Sequence, residues 1–161
     1  MPAILMILAL FGCAAQHPLS VPEEMPRSAG LAVWDMTYSG PPGAPEAGWG
    51  ELLASAIIET FQEDDRYKVV ERQQLVLALQ ELSIGSSDLA DDATRLRLGE
   101  IVGARYMVFG SYIAFGGSMR LDMRLVRVET GQVIKAAERT VQGGGLIKAM
   151  AAAKAAAEEL R

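Results

Sequence analysis

The order of hydrophobic patterns along the chain predicts an α+β (mixed α/β) fold, with one mixed sheet of about five strands flanked by about four helices. Three observations predict it. Between Leu31 and Arg72 a strand-forming run, a helical stretch and a second strand-forming run follow one another, as in a crossover between parallel strands. Between Arg105 and Val141 three strand-forming runs are separated only by short turns, as in a meander. The remaining stretches place apolar residues at helical spacing, so helices are expected to pack against the sheet.

Leu31-Ala32-Val33-Trp34-Asp35-Met36 is a short apolar run rich in strand formers, and Gly40, Pro41, Pro42, Gly43 and Pro45 then impose a loop. From Trp49 onward, Leu52, Leu53, Ala56, Ile57, Thr60 and Phe61 fall on one face of a helix, which the charged string Glu63-Asp64-Asp65-Arg66 ends. Tyr67 to Arg72 reads as the second strand. Leu75, Leu79 and Leu82 share a face of the next helix, which stops near Gly85. Another helix starts behind Asp91 or Asp92 as N-cap, carries Leu96 to Val102 and ends at Gly103.

Arg105 to Phe115 has apolar residues on both faces, which suits a central strand. Gly116-Gly117-Ser118 turns the chain, and Met119, Leu121, Met123 and Leu125 then alternate with Arg120, Asp122 and Arg124, so one face is core and the other wet. The phase reverses at Leu125-Val126, where Val126 and Val128 become the apolar positions, and a β-bulge is expected there. Glu129 to Gln132 forms a hairpin turn with Gly131 at positive φ, and Val133 to Val141 returns as the last strand. Gly143 to Gly145 is a flexible joint before a final helix, Leu146 to Arg161. In that helix Leu146, Met150, Ala153, Ala157 and Leu160 form a narrow seam, and Lys154 pairs with Glu158 at i, i+4. A face this small approaches closely either its own domain or another molecule.

Upstream of residue 30 the character of the chain changes. Ten apolar residues from Ala3 to Gly12 end at Cys13, the only cysteine, in the string Leu10-Phe11-Gly12-Cys13. As a helix this run spans about 15 Å, half of a bilayer's hydrocarbon core, so it suits a cleavable signal sequence with a lipobox rather than a spanning anchor. Only Met1 and Pro2 precede it, whereas a signal sequence normally opens with Lys or Arg; a start upstream of Met1 would supply them. The alternative is a buried strand or helix holding a free thiol. Residues 14–29, with Pro18, Pro22, Pro26, Glu23 and Glu24, read as an extended tether of up to about 50 Å. Residues 30–161 then form a single domain.

A chain that is 50% hydrophobic and 22% charged is globular rather than disordered. Its net charge of -5, with Arg120, Arg124, Arg127 and Arg139 dispersed, argues against nucleic acid or a strongly anionic membrane surface as partner. The lone histidine, His17, lies in the tether, so no Ser/His/Asp or Cys/His arrangement is available inside the domain. Asp88, Asp91 and Asp92 lack calcium-loop spacing and are better read as helix-capping residues. Gly143 to Gly145 precede a helix but belong to no phosphate-binding motif. Asp35 at the end of the first strand reads as a turn or cap residue, and Glu71-Arg72 as a salt bridge or a cap at a helix start. Tyr67, Trp34, Phe109, Met119 and Met123 read as core. No catalytic site, cofactor or metal site is expected, which leaves Cys13, as the point of lipid attachment, the one functional residue.

Four strings in order, Leu31 to Met36, Tyr67 to Leu75, Gly103 to Ser111 and Arg124 to Val133, resemble the CsgG-like family of curli secretion lipoproteins over Gly30 to Val141. The LpoB-like activators of penicillin-binding proteins and the TolB N-terminal domain share that architecture. The resemblance implies a periplasm-facing domain that binds proteins and does not catalyse. It also implies a departure, because the curli channel builds its barrel from hairpins inserted in the region of Ser111 to Met119 and after the last core strand. A barrel-crossing strand needs about 9 residues or more, and a hairpin twice that, so neither insertion fits here and no pore is expected.

The expectation is therefore a lipid-anchored envelope protein that binds another envelope protein in secretion, appendage or cell-wall assembly and touches the membrane only through its anchor. An activator of a peptidoglycan synthase and a subunit of a homo-oligomeric ring are the competing readings. Ala14, in place of an acidic residue after Cys13, points to the outer membrane.

Overall fold

A computed structural model describes residues 28–81, 91–143 and 145–161. The expected signal sequence, Cys13, His17 and nearly all of the tether lie outside the described residues, as do Leu82 to Gly85 and Asp88. The elements are β1 (Ala29–Val33), β2 (Thr37–Tyr38), a 3-10 turn (Pro45–Gly48), α1 (Gly50–Gln62), β3 (Tyr67–Val69), α2 (Arg72–Glu81), α3 (Asp92–Ile101), β4 (Tyr106–Phe115), β5 (Ser118–Arg127), β6 (Val133–Gln142) and α4 (Leu146–Leu160).

These strands make the predicted mixed sheet, in the order β3-β1-β4-β5-β6, with β2 paired to β4 as a sixth strand. β1 runs parallel to β3 and β4, β2 runs parallel to β4, and β4, β5 and β6 form the antiparallel meander. The first strand is shorter than the apolar run suggested. The Trp34 amide still donates to the Val108 carbonyl at 3.0 Å, but Met36 donates to Gly50 instead, and the chain rejoins the sheet only at Thr37. The second strand stops at Val69 because Arg72 already belongs to α2. Gly30 is required where β1 passes the turn after α3: a Cβ there would lie 2.6 Å from the Gly103 carbonyl oxygen.

One face of the sheet lies under α1 and α4. Its core contains Leu31, Leu53, Ile57, Phe61, Val108, Tyr112, Leu121 and Leu125, closed by Ala149, Ala152, Ala153, Ala156, Ala157 and Leu160 of α4. The final helix thus docks on its own domain. Its buried stripe is broader than the predicted seam, because alanines in two adjacent rows let α4 approach both the sheet and α1. Leu146 and Met150 sit at the margin. Lys154 does not pair with Glu158; it reaches Glu59 of α1 at 2.7 Å, while Glu158 meets Arg161.

The other face carries a smaller core under α2 and α3, with Ala32, Leu75, Met107, Phe109, Val126 and Val128 buried and Trp34 and Leu96 beside it. Phe109, Met119 and Met123 are buried as expected, whereas Trp34 and Tyr67 are only half-buried. A register shift does occur beside Leu125-Val126, but the extra residue, Ile134, belongs to β6. β4 and β5 pair without interruption from Tyr106↔Arg127 to Phe115↔Ser118, so β5 alternates regularly throughout. The reversal in hydrophobic phase records a change of cover: the even-numbered side chains face water as far as Arg124 and face the α2–α3 core from Val126 onward.

Candidate functional site

Among the described residues, no element covers the face opposite α1 and α4 over the outer half of the meander. The side chains that face outward there follow from the register. Ser111 opposes Asp122, which opposes Glu138, and Phe109 opposes Arg124, which opposes Ala136. With Thr37 of β2 and Arg95 of α3 these residues line a depression of about 580 Å³. The small residues Gly110, Ser111 and Ala136 lie in its lining beside the charged Arg95, Asp122, Arg124 and Glu138.

Two ion-pair groups frame it. Arg120 binds Asp122 at 2.8 Å and Glu138 at 2.9 Å, and its affinity for the proton is raised first by the hydrogen bond to Asp122. Asp92, at the start of α3, meets both Arg95 at 3.3 Å and Arg124 at 3.5 Å. Arg95 also lies 5.8 Å above the ring of Phe109. These pairs are mostly exposed, so each adds little to stability and remains available to exchange partners. The outer side of β6 pairs with no strand among the described residues.

Of the residues singled out in the sequence, Asp92, Arg120, Arg124 and Phe109 come together here, whereas Asp35, Glu71 and Arg72 lie elsewhere. Asp35 accepts two hydrogen bonds from Arg72, at 2.7 and 3.0 Å, and Arg72 also reaches Glu51 at 3.4 Å, tying β1, α1 and α2 together. Glu71 precedes α2, and its carbonyl accepts from the Gln74 amide at 2.9 Å. Asp91 caps α3, its carboxylate accepting from the Ala93 amide at 3.3 Å. Gly103 has the positive φ, 71°, of a helix-ending residue. Among the described residues no group of three or more His, Cys, Asp and Glu side chains is placed to hold a metal, and no helix is long and apolar enough to cross a membrane.

Sequence reasoning missed the conjunction of Ser111, Asp122, Arg124 and Glu138. The signal was present in the charged alternation of β5. A strand in the middle of a meander whose outward residues are Arg, Asp and Arg signals a polar side, and the register then brings β6 into the same surface.

Two hairpin details bear on function. β4 and β5 are joined by Gly116 and Gly117 alone, at φ 59° and 76°, and α4 begins four residues after β6 ends at Gln142. At the same end Tyr112 fixes the loop before α1. Its buried hydroxyl donates to the Glu46 carbonyl at 2.7 Å and accepts from the Trp49 amide at 3.1 Å, and burial raises its pKa.

Comparison with known proteins adds identity to this geometry. A penicillin-binding protein activator LpoB from Citrobacter koseri is 29% identical over 98 residues, covering 58% of this chain and 46% of that protein, so the chain spans about half the length of the curated relative it matches. The LpoB C-terminal domain from Salmonella enterica superposes with a TM-score of 0.60 at 21% identity, over 74% of this chain and 87% of that one. A PelC dodecamer subunit from Paraburkholderia phytofirmans gives 0.55 at 18% identity, over 83% of this chain and 88% of that one. The last two likenesses show a shared fold. Residues 29–120, more than half of the chain, match the family model of the curli production assembly/transport component CsgG, and the chain belongs to the CsgG family.

Proposed function

We propose that this chain is a lipid-anchored, periplasm-facing domain that acts by binding another envelope protein, and that its partner is a peptidoglycan synthase. Residues 1–13 are its signal sequence, Cys13 carries the acyl chains, residues 14–29 are the tether, and residues 30–161 are the binding domain, held at the outer membrane. The observation that carries the binding role is the open, charged half-face of the sheet, in a fold shared with the LpoB C-terminal domain. The choice of a synthase rests on the curated relative, which is named as an activator of penicillin-binding proteins rather than as an enzyme. The two-glycine link between β4 and β5 and the short β6–α4 connection favour a domain without barrel hairpins, and so without a pore.

The test is retention of penicillin-labelled synthases from solubilised envelopes on the immobilised full chain. Retention is expected, together with faster glycan polymerisation by the retained enzyme; a full chain that retains no labelled protein contradicts the proposal. Fatty-acid labelling that disappears in Cys13→Ala tests the anchor. The fold shared with the PelC dodecamer favours a second reading, a ring subunit. Light scattering of the solubilised chain decides between them, with a single copy expected here and a multiple under the ring reading.

A further inference from the structure

The outer edge of β6 offers backbone hydrogen-bonding groups that no strand of the described chain takes. The bulge at Ile134 disturbs only its first residues, leaving Lys135 to Gln142 in continuous register with β5. Along that stretch the charges are ordered. Glu138 lies on the open face, beside the depression, and Arg139 lies on the helix-covered face, where its guanidinium meets Glu159 of α4. Lys135 shares the face of Arg139 and donates to the Arg161 carbonyl oxygen.

This order discriminates between occupants. A second copy pairing antiparallel across a two-fold axis overlaps Lys135–Gln142 most fully when centred on Glu138 or on Arg139. Either register sets a charge directly against its own copy, which is destabilising. A foreign strand meets no such bar if it places a basic residue opposite Glu138 and an acidic residue opposite Arg139. Antiparallel addition continues the meander and is the more stable pairing. We propose that β6 is the docking edge for an extended segment of the partner protein, added as an antiparallel strand and carrying an acidic residue followed immediately by a basic one. This rests on the reading that the chain works by binding a protein, and states how that protein is held: main-chain hydrogen bonds give the affinity, and the adjacent charges give register and direction.

The test uses the purified full chain and synthetic probes. An acetylated, amidated and fluorescently labelled heptapeptide, Thr-Val-Thr-Glu-Lys-Val-Thr, is titrated by anisotropy beside the isomer with Glu and Lys exchanged. The first is expected to bind about fivefold more tightly, and Glu138→Lys to abolish or invert that preference. Two further probes on the unaltered protein carry N-methyl groups on alternate residues. One set blocks the edge facing β6 and is expected to abolish binding, while the other retains it. Equal binding of the isomers, tighter binding of the exchanged isomer, or indifference to both methylation patterns overturns the proposal. So does a full chain that sediments as a dimer dissociated by the peptide, because the occupant is then a second copy. Capture of a synthase together with failed peptide criteria removes only this inference; the expected peptide binding without capture removes only the choice of partner.

Discussion

The two faces of this sheet are built from the same strands and serve opposite ends. Under α1 and α4, Met119, Leu121, Met123 and Leu125 meet a layer of alanines and are sealed from water. One residue along each strand, Arg120, Asp122 and Arg124 face solvent, and only from Val126 does the second face close under α2 and α3. The helix-covered face carries the stability, while the open half-face carries little of it and is free to bear specificity.

Truncating one side chain on each face of the sheet separates the two most clearly. Leu121→Ala, at a site with no exposure, is expected to cost about 3 kcal/mol in urea denaturation. Thr140→Ala on the open face is expected to stay within about 0.5 kcal/mol. Similar losses at the two sites would mean that the open face is covered in solution.

Gly30→Ala probes the seam where β1 meets the turn after α3. The added methyl meets the backbone at Gly103 and Ala104, neither of which is a flexible side-chain end, so a loss of about 2 kcal/mol in the same assay is expected. Tyr112→Phe removes both hydrogen bonds that hold the loop before α1 and is expected to cost about 1–2 kcal/mol, with faster amide exchange at Trp49.

The smallest effect is electrostatic. The Arg66 guanidinium beside Asp64 lowers its pKa from 3.8 to about 2, chiefly through their side-chain hydrogen bond. A folded-state pKa below the unfolded one gives stability that is present above about pH 4 and lost as the pH falls toward about 2. Asp64→Asn should flatten that part of an acid denaturation curve by removing this small contribution at pH 7, and match the parent near pH 2.

Much of this fold was legible because periodicity reports burial directly. The meander, α1 and the N-cap of α3 at Asp91 all carry strong local patterns. What was not legible depended on neighbours. The two residues of β2 are too few to show a period, and β1 ends at Val33 because the chain turns toward α1, not because its apolar run ends. The α4 stripe was undercounted because alanine carries little hydrophobic signal even where it is wholly buried. The bulge expected at Leu125-Val126 does occur in the β5–β6 pairing, but its extra residue, Ile134, lies on β6, and the phase reversal within β5 reports the change of covering layer. The candidate surface was half visible: β5 announced a wet face, but only the register could join Glu138 and Ser111 to Asp122.

In the proposed role, the partner is met on the open half of the meander and not on the helix side. The direct measurement is calorimetric titration of a solubilised penicillin-binding protein into the full chain, into Arg124→Glu/Glu138→Lys, and into Ser55→Glu on the exposed side of α1. The double charge reversal is expected to weaken binding about tenfold or more, while Ser55→Glu binds as the parent does. Unchanged binding by the double variant, with loss in Ser55→Glu, would contradict it.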